Sequence, residues 1–220
     1  MSSSTASCAP GSTSCRSPDM ARTTQVMRPR NGADTRASIE KAALRLFAEK
    51  GVEGSTIRDL ALAVGVADAA LYRYFASKED IATGLFATHY GALARKIDEI
   101  RDRALPFAET IAALVDLLCS LFDDAPDVFS FVLLNQHAHL RYVRDGANVA
   151  ESLRTIMSQA YIQGDIAIDD CDLAAAMALG AVLQPCVFKL YGRLPGPMRS
   201  RTSELTIAAL SVLQIKPRSS

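Results

Sequence analysis

Apolar positions in the first half of the chain recur with a helical period. Ile39, Ala42, Ala43, Leu46 and Phe47 share one face of a helix that the spacing predicts from about Thr35 to Lys50, with Gly51 as its stop. Ile57, Leu60, Ala61 and Val64 keep the i, i+3, i+4, i+7 spacing of a second helix, Gly65-Val66 break it, and a short run from Asp68 to Phe75 buries Leu71 and Phe75. Ser77, with Asp80 three residues on, predicts the capped start of a fourth helix. Its stripe is Ile81, Leu85, His89, Leu93, Ile97 and Ile100, and it extends to about Arg103, roughly 39 Å of rod. Two short amphipathic helices crossing at a glycine turn are the sequence form of a helix-turn-helix, whose second helix fits the major groove of DNA. The pattern therefore predicts a DNA-binding unit backed by a long lever.

The period stays helical to the end. Ile111, Leu114, Val115 and Leu118 form a stripe ended near Asp123-Asp124, and Pro126 opens the next helix with Phe129, Val132, Leu133 and Gln136 down one side. Val149, Leu153, Ile156, Met157, Ala160 and Tyr161 form another stripe, closed by Gly164. Asp169-Asp170 precede a helix rich in small residues (Ala174, Ala175, Ala176, Ala178, Gly180, Ala181), and a last helix from near Pro197 carries Leu205, Ala208, Ala209, Val212 and Leu213. Nothing alternates like a strand, so the expected fold class is all-α with about nine helices.

Phe47 with Gly51, Thr56 through Ala61, Gly65-Val66, Leu71 through Phe75 and Ser77-Lys78-Glu79 closely resemble, in order and spacing, the tetracycline-repressor (TetR) family of transcriptional regulators. The match runs without gaps from about Thr35 to Leu85, and beyond Thr88 it is one of architecture. The resemblance implies a plan of three parts: a Ser-rich then basic arm over 1–32, a helix-turn-helix domain over 33–88, and a helical effector-binding and dimerisation domain over 89–216. It also implies contact residues. Thr56 and Arg58 fall where phosphates or groove edges are met, Asp68, Ala69 and Ala70 where base edges are met, and Tyr72, Tyr74 and Lys78 where phosphates are met. Two positions depart from the family pattern. Ala67 stands where a capping Ser or Thr is usual, a loss of about 1 kcal/mol that Asp68 offsets through the helix dipole. Ala69 and Ala70 can touch a thymine methyl but form no hydrogen bond, so readout leans on Arg58, Asp68 or DNA shape.

Composition qualifies this picture. The 220 residues are 49% hydrophobic, which fits a globular protein, and the formal net charge is zero. Between Asp34 and Asp80 seven bases face eight acids, so DNA affinity has to come from placement and from pairing of two copies. The arm adds Arg16, Arg22, Arg28 and Arg30 against Asp19; it reads either as a minor-groove or phosphate contact or as a solvated tail. The Ser-rich first 20 residues lack the apolar core of a signal peptide, and the longest apolar run, Leu173 to Leu183, falls short of the ~20 residues of a bilayer span. Five scattered cysteines read as reduced thiols, and the expected location is cytoplasmic, with no membrane partner.

The expected partners are a double-stranded DNA operator, a second copy of the chain and a small-molecule effector. A small-apolar face on the last two helices is the candidate subunit interface, because two recognition helices about 34 Å apart read a palindrome. The family resemblance implies an effector pocket. Phe122, Phe129, Met157, Tyr161, Met177 and Phe188 supply apolar bulk for it, and Gln136 and Gln184 supply polar points, so a mainly hydrophobic effector is expected. Pro185 would bend its helix beside Gln184 and free the Ala181 carbonyl. No cofactor, catalytic group or metal is expected: His137 and His139 diverge by about 200° on a helix, and no triad, phosphate loop or metal-type spacing occurs. The leading expectation is a homodimeric repressor released by its effector. A DNA-binding dimer without an effector is the alternative, its C-terminal domain serving only dimerisation or a protein partner, and an all-α enzyme is the remote one.

Overall fold

A computed structural model describes residues 32–135 and 148–213. Among these residues the chain forms nine α-helices and no strand. Three of them, α1 (Gly32–Lys50), α2 (Ile57–Val64) and α3 (Asp68–Leu71), make a head. The lever α4 (Lys78–Arg101) runs from it into a body made of α5 (Phe107–Asp124), α6 (Pro126–Phe129), α7 (Val149–Gln163), α8 (Cys171–Leu190) and α9 (Thr202–Val212).

The head folds as its apolar period dictates. Ile39, Ala43 and Phe47 of α1, Leu60 and Ala61 of α2, and Leu71 and Phe75 are buried together with Ile81 and Leu85 of α4. Both glycine stops hold: Gly51 (φ 73°) and Gly65 (φ 74°) adopt the left-handed conformation in which a Cβ is strained. Helix α1 starts three residues earlier than the spacing suggested, at Gly32. The second run is shorter than expected. Helical geometry ends at Leu71, whose carbonyl takes bonds from both Tyr74 N (2.9 Å) and Phe75 N (3.1 Å), and the chain then turns to put Phe75 into the core. The Arg36 guanidinium lies 4.8 Å over the Phe75 ring and closes that corner.

Every apolar position of the α4 stripe is buried apart from His89, which is half-buried. Helix α4 ends at Arg101, two residues before the expected end, where Arg101 pairs with Asp98 (2.7 Å) and Asp102 (2.9 Å). The stripes of α5 and α7 are buried as read, except Tyr161, which is 43% exposed. One local feature was not foreseen: α6 passes into a π-helical stretch, Ser130–Leu134. Its wider turn carries Phe131 against Phe47 of the head (6.0 Å between ring centres) and Phe86 of α4 (6.1 Å). Head, lever and body thus meet at one aromatic cluster.

Helix α8 splits its residues between two faces. Ala174, Ala175, Val182 and Cys186 turn into the body, whereas Leu173, Ala176, Gly180, Gln184, Phe188 and Tyr191 recur at helical spacing on the outside. The reading that the chain has no segment long enough for a membrane has to be adjusted. Across its 20 residues α8 reaches a mean hydropathy of 1.7, enough by length and composition to cross a bilayer, although it packs against α7 and α9. Before α9, the Asp123 carboxylate of α5 accepts from the backbone of Met198 and Arg199 (both 2.9 Å), and Arg199 pairs with Asp124. These bonds tie the α8–α9 connection to α5.

Candidate nucleic-acid interface and effector region

The recognition segment is held from behind and open in front. Leu71 and Phe75 are buried, whereas Asp68, Ala69, Tyr72 (59% exposed) and Arg73 face solvent, and Ala70 and Tyr74 are half-buried. Ala67 makes no side-chain cap, as its chemistry requires, and Asp68 occupies the first turn of α3. Arg58 is exposed and enters no ion pair among the described residues, so its guanidinium is available to an anion. The Tyr74 hydroxyl lies beside Gly32, at the start of α1.

Two of the expected phosphate contacts have other engagements. Thr56 is the cap of α2: its hydroxyl accepts from Asp59 N (3.1 Å) and donates to the Asp59 carboxylate (2.7 Å), and its own N–H donates to the same carboxylate (2.9 Å). These bonds hold the Asp59 carboxyl below its ordinary range. Lys78 turns inward. Its ammonium donates to the carbonyls of Val52 (2.9 Å), Ser55 (3.0 Å) and Glu53 (3.5 Å), which uses its three donors on the α1–α2 turn. The physical reason is that this turn, past the end of α1, leaves carbonyls outside any helix ladder (only Val52 also accepts, from Ser55 N at 3.2 Å), and a cation at the start of α4 satisfies them. What Lys78 presents outward is the backbone at the N-terminus of α4, where Ser77 Oγ accepts from Asp80 N (3.1 Å) and Asp80 accepts from Ala76 N (3.2 Å).

The eight expected pocket residues do not converge. Phe122 and Phe129 are buried against each other, edge to face at 5.1 Å, as plain core. Tyr161, Gln184 and Phe188 are exposed and Met177 is half-buried, because α7 and α8 turn those positions away from the body's interior. Gln136 lies outside the described residues. Of the eight, Met157 lines a cavity among the described residues. That cavity is an apolar seam of about 30 Å³ between α5, α7 and α8, walled also by Ile111, Leu114, Leu153, Ala178 and Val182. The period along α5 and along α7 could have located it, since 111, 114, 115 and 118 and 153 and 157 are single stripes. Pro185 does sit inside α8, but the side chain beside it, Gln184, points to solvent.

Two larger clefts are open. One of about 430 Å³ lies where the α4–α5 turn meets the end of α7, and one of about 590 Å³ lies between α1 and α4, with His89 and Glu40 in its wall. Burial pushes the His89 imidazole below its ordinary value, and the Glu40 carboxylate opposes that shift. Burial also raises the thiols of Cys119 and Cys186, the latter to about 12. Both are therefore protonated and inert at neutral pH, which weighs against a redox role. Among the described residues no His, Cys, Asp and Glu side chains gather as a metal site, and His137 and His139 lie outside them.

A trihelical head with a glycine-turn helix pair, carried on a long helix into a helical body, defines the helix-turn-helix class. Residues 39–85 match the family model described as bacterial regulatory proteins, tetR family, and over that stretch the chain is similar to that family. It is 35% identical over 80 residues to the HTH-type transcriptional repressor KstR2 of Rhodococcus jostii, a match covering 36% of this chain and 39% of that protein. It is 38% identical over 67 residues to the fatty acid metabolism regulator protein of Bacillus subtilis, covering 30% and 34%. The matched stretches thus span less than half the length of these two curated relatives. The fold extends further: the transcriptional regulator FadR from Bacillus subtilis, solved in complex with stearoyl-CoA, superposes with a TM-score of 0.62 at 20% identity, covering 80% of this chain and 97% of that one.

Proposed function

We propose that the protein is a homodimeric transcriptional repressor that grips a palindromic operator and is released by a small, mainly hydrophobic effector. The observation that carries the reading is the exposed segment Asp68 to Tyr74, held by a sealed core and flanked by the unpaired Arg58. In a duplex groove, Arg58, Tyr72 and Tyr74 reach phosphates, the amides opening α4 add an anion site, and Asp68, Ala69 and Ala70 face base edges. The exposed outer face of α8, with Phe188 (48% exposed) and Ile207 of α9 (65% exposed), supplies the surface on which two copies pair.

The effector acts by differential affinity for two spacings of the heads. The relatives' names support a lipid-like effector: a fatty acid metabolism regulator, and FadR with stearoyl-CoA. One observation favours a second reading, a dimer without an effector: the body's apolar seam holds only about 30 Å³, room for little more than one water molecule. The domain limits of 33–88 and 89–216 and a cytoplasmic location belong to the same proposal.

A mobility-shift assay on the DNA upstream of its own gene tests it. The full chain is expected to form one saturable, salt-sensitive complex, and Arg58→Ala with Tyr72→Ala to weaken it while the thermal transition stays in place. An undiminished grip by that double variant, or no specific binding at low salt, overturns the reading.

A further inference from the structure

The open cleft between α1 and α4 lies where the head leans on its lever. Arg36, Glu40 and Lys41 stand on its α1 side, and Gly84, Thr88 and His89 on its α4 side. The α4 side is low: a Cβ placed on Gly84 would meet nothing within 4 Å, and the gap between the two helices amounts to about 590 Å³. Head and lever are thus packed together along their apolar stripes but stand apart at this edge. A polar group reaching across would fix the angle between them.

Glu40 faces the cleft with one carboxylate oxygen engaged. Its Oε1 accepts from Arg36 Nε (3.0 Å), and Arg36 lies over the Phe75 ring that closes the recognition segment. Among the described residues its Oε2 takes no hydrogen bond. On the other wall the half-buried His89 imidazole has no hydrogen-bond partner among the described residues either. Several charges surround that ring. Helix α1 supplies Arg36, Glu40 and Lys41, α4 itself supplies Asp80 nine residues back and Lys96 seven on, the first turn of α7 supplies Glu151, and the π-helical stretch supplies none. Among these, Glu40 is the charge whose field bears on His89. A neutral imidazole leaves the two side chains with little mutual attraction, whereas an imidazolium offers the free carboxylate oxygen a charged donor.

We infer that His89 and Glu40 form a proton-operated clamp: an imidazolium at His89 bonds the Glu40 carboxylate across the cleft, draws α1 onto α4 and fixes the head on its lever. Glu40 keeps Arg36 on its first oxygen while the second meets His89, so the link runs from the lever through Arg36 to Phe75 and the recognition segment. Burial holds the imidazole below its ordinary value of 6.5, so the clamp closes on the acid side of that value, and Glu40, which opposes the shift, makes it close sooner. A head already fixed forfeits less freedom on meeting a duplex, so acid tightens the grip. That consequence rests on the DNA-binding reading above, whereas the clamp itself does not.

The clamp is tested first without DNA, on the full chain. The imidazole proton resonances follow the titration of His89, with His89→Gln identifying the signal, and Glu40→Gln is expected to move that titration to lower pH. Denaturation of the wild type, the two single variants and the double variant then measures how the two side chains couple, and coupling is expected at pH about 5.5 and none at about 7.5. On DNA, operator affinity is expected to rise about three- to tenfold between those two pH values, the effect of one partly screened pair in each of two heads. It is expected to rise clearly less in Glu40→Gln and in His89→Gln alike. An unmoved titration in Glu40→Gln, equal coupling at both pH values, or a rise in affinity that survives Glu40→Gln, as one owed to His137 or His139 would, each overturns the inference. Titration and coupling as expected in a chain that grips no DNA at either pH leave the clamp standing and remove the regulator reading instead.

Discussion

The head and the outer half of the body handle their apolar residues in opposite ways. In the head, α2 spends Leu60 and Ala61 on the core, ties its first turn with the Thr56–Asp59 capping box and ends on Gly65. In the body, α8 buries only Ala174, Ala175, Val182 and Cys186 of its 20 residues, and Leu173, Phe188, Leu190 and Tyr191 stay in solvent. A single copy of the chain thus completes the core of the head but leaves α8 with an uncovered apolar face. Stability of the head is a property of the chain, whereas the outer body is shielded only when a second copy pairs on it as proposed above.

The sharpest way to break the contrast is to cut the joint between the two regions. Phe131→Ala removes a fully buried ring that touches both Phe47 and Phe86. It is expected to cost about 3–5 kcal/mol and to split calorimetric unfolding into separate head and body transitions. Next in size is Phe188→Asp with Ile207→Asp. Both positions are exposed in one copy, so the fold is expected to persist while sedimentation shows monomers, and operator affinity is expected to fall at least about a hundredfold as bivalent binding is lost.

Lys78→Met tests whether that ammonium is structural. The Glu53 and Ser55 carbonyls of the α1–α2 turn lose the Lys78 donor and Val52 keeps only the Ser55 N–H, at an expected cost of about 1–3 kcal/mol in chemical denaturation. A purely DNA-facing lysine would leave stability unchanged and flatten only the salt dependence of binding. The smallest effect concerns pH. Because burial holds the folded His89 below its ordinary pKa of 6.5, the folded state binds fewer protons in that window, so stability falls as pH drops from about 6.5 through the folded value. His89→Gln is expected to flatten that part of the curve and leave stability above neutral pH unaltered. A steeper loss in the variant would show that another group titrates there.

The same contrast explains what was legible in the sequence. The head's stripes, its glycine stops and the Ser77 cap were readable because each is a local rule acting within a few residues. The eight pocket residues were not. Periodicity says that Gln184 and Phe188 share a face of α8, but with apolar residues on nearly every side it does not say which face looks inward. Lys78 was assigned to phosphate for a related reason: the carbonyls that hold it, at Val52 and Ser55, lie more than twenty residues away and depend on how α4 crosses the α1–α2 turn. The π-helical stretch at Ser130–Leu134 left no trace in a pattern that otherwise reads as ordinary helix.

Ala69 has a further meaning for how such a scaffold diversifies. Its methyl group faces open solvent and lies outside the packed interior, so exchanging it for Asn, Gln or Arg leaves folding nearly indifferent. Each exchange nonetheless presents a different hydrogen-bonding edge to a base pair. With Ala69 at a base edge as proposed above, target choice and structural integrity are separable at that residue, and a new address can be written there without rebuilding the reader.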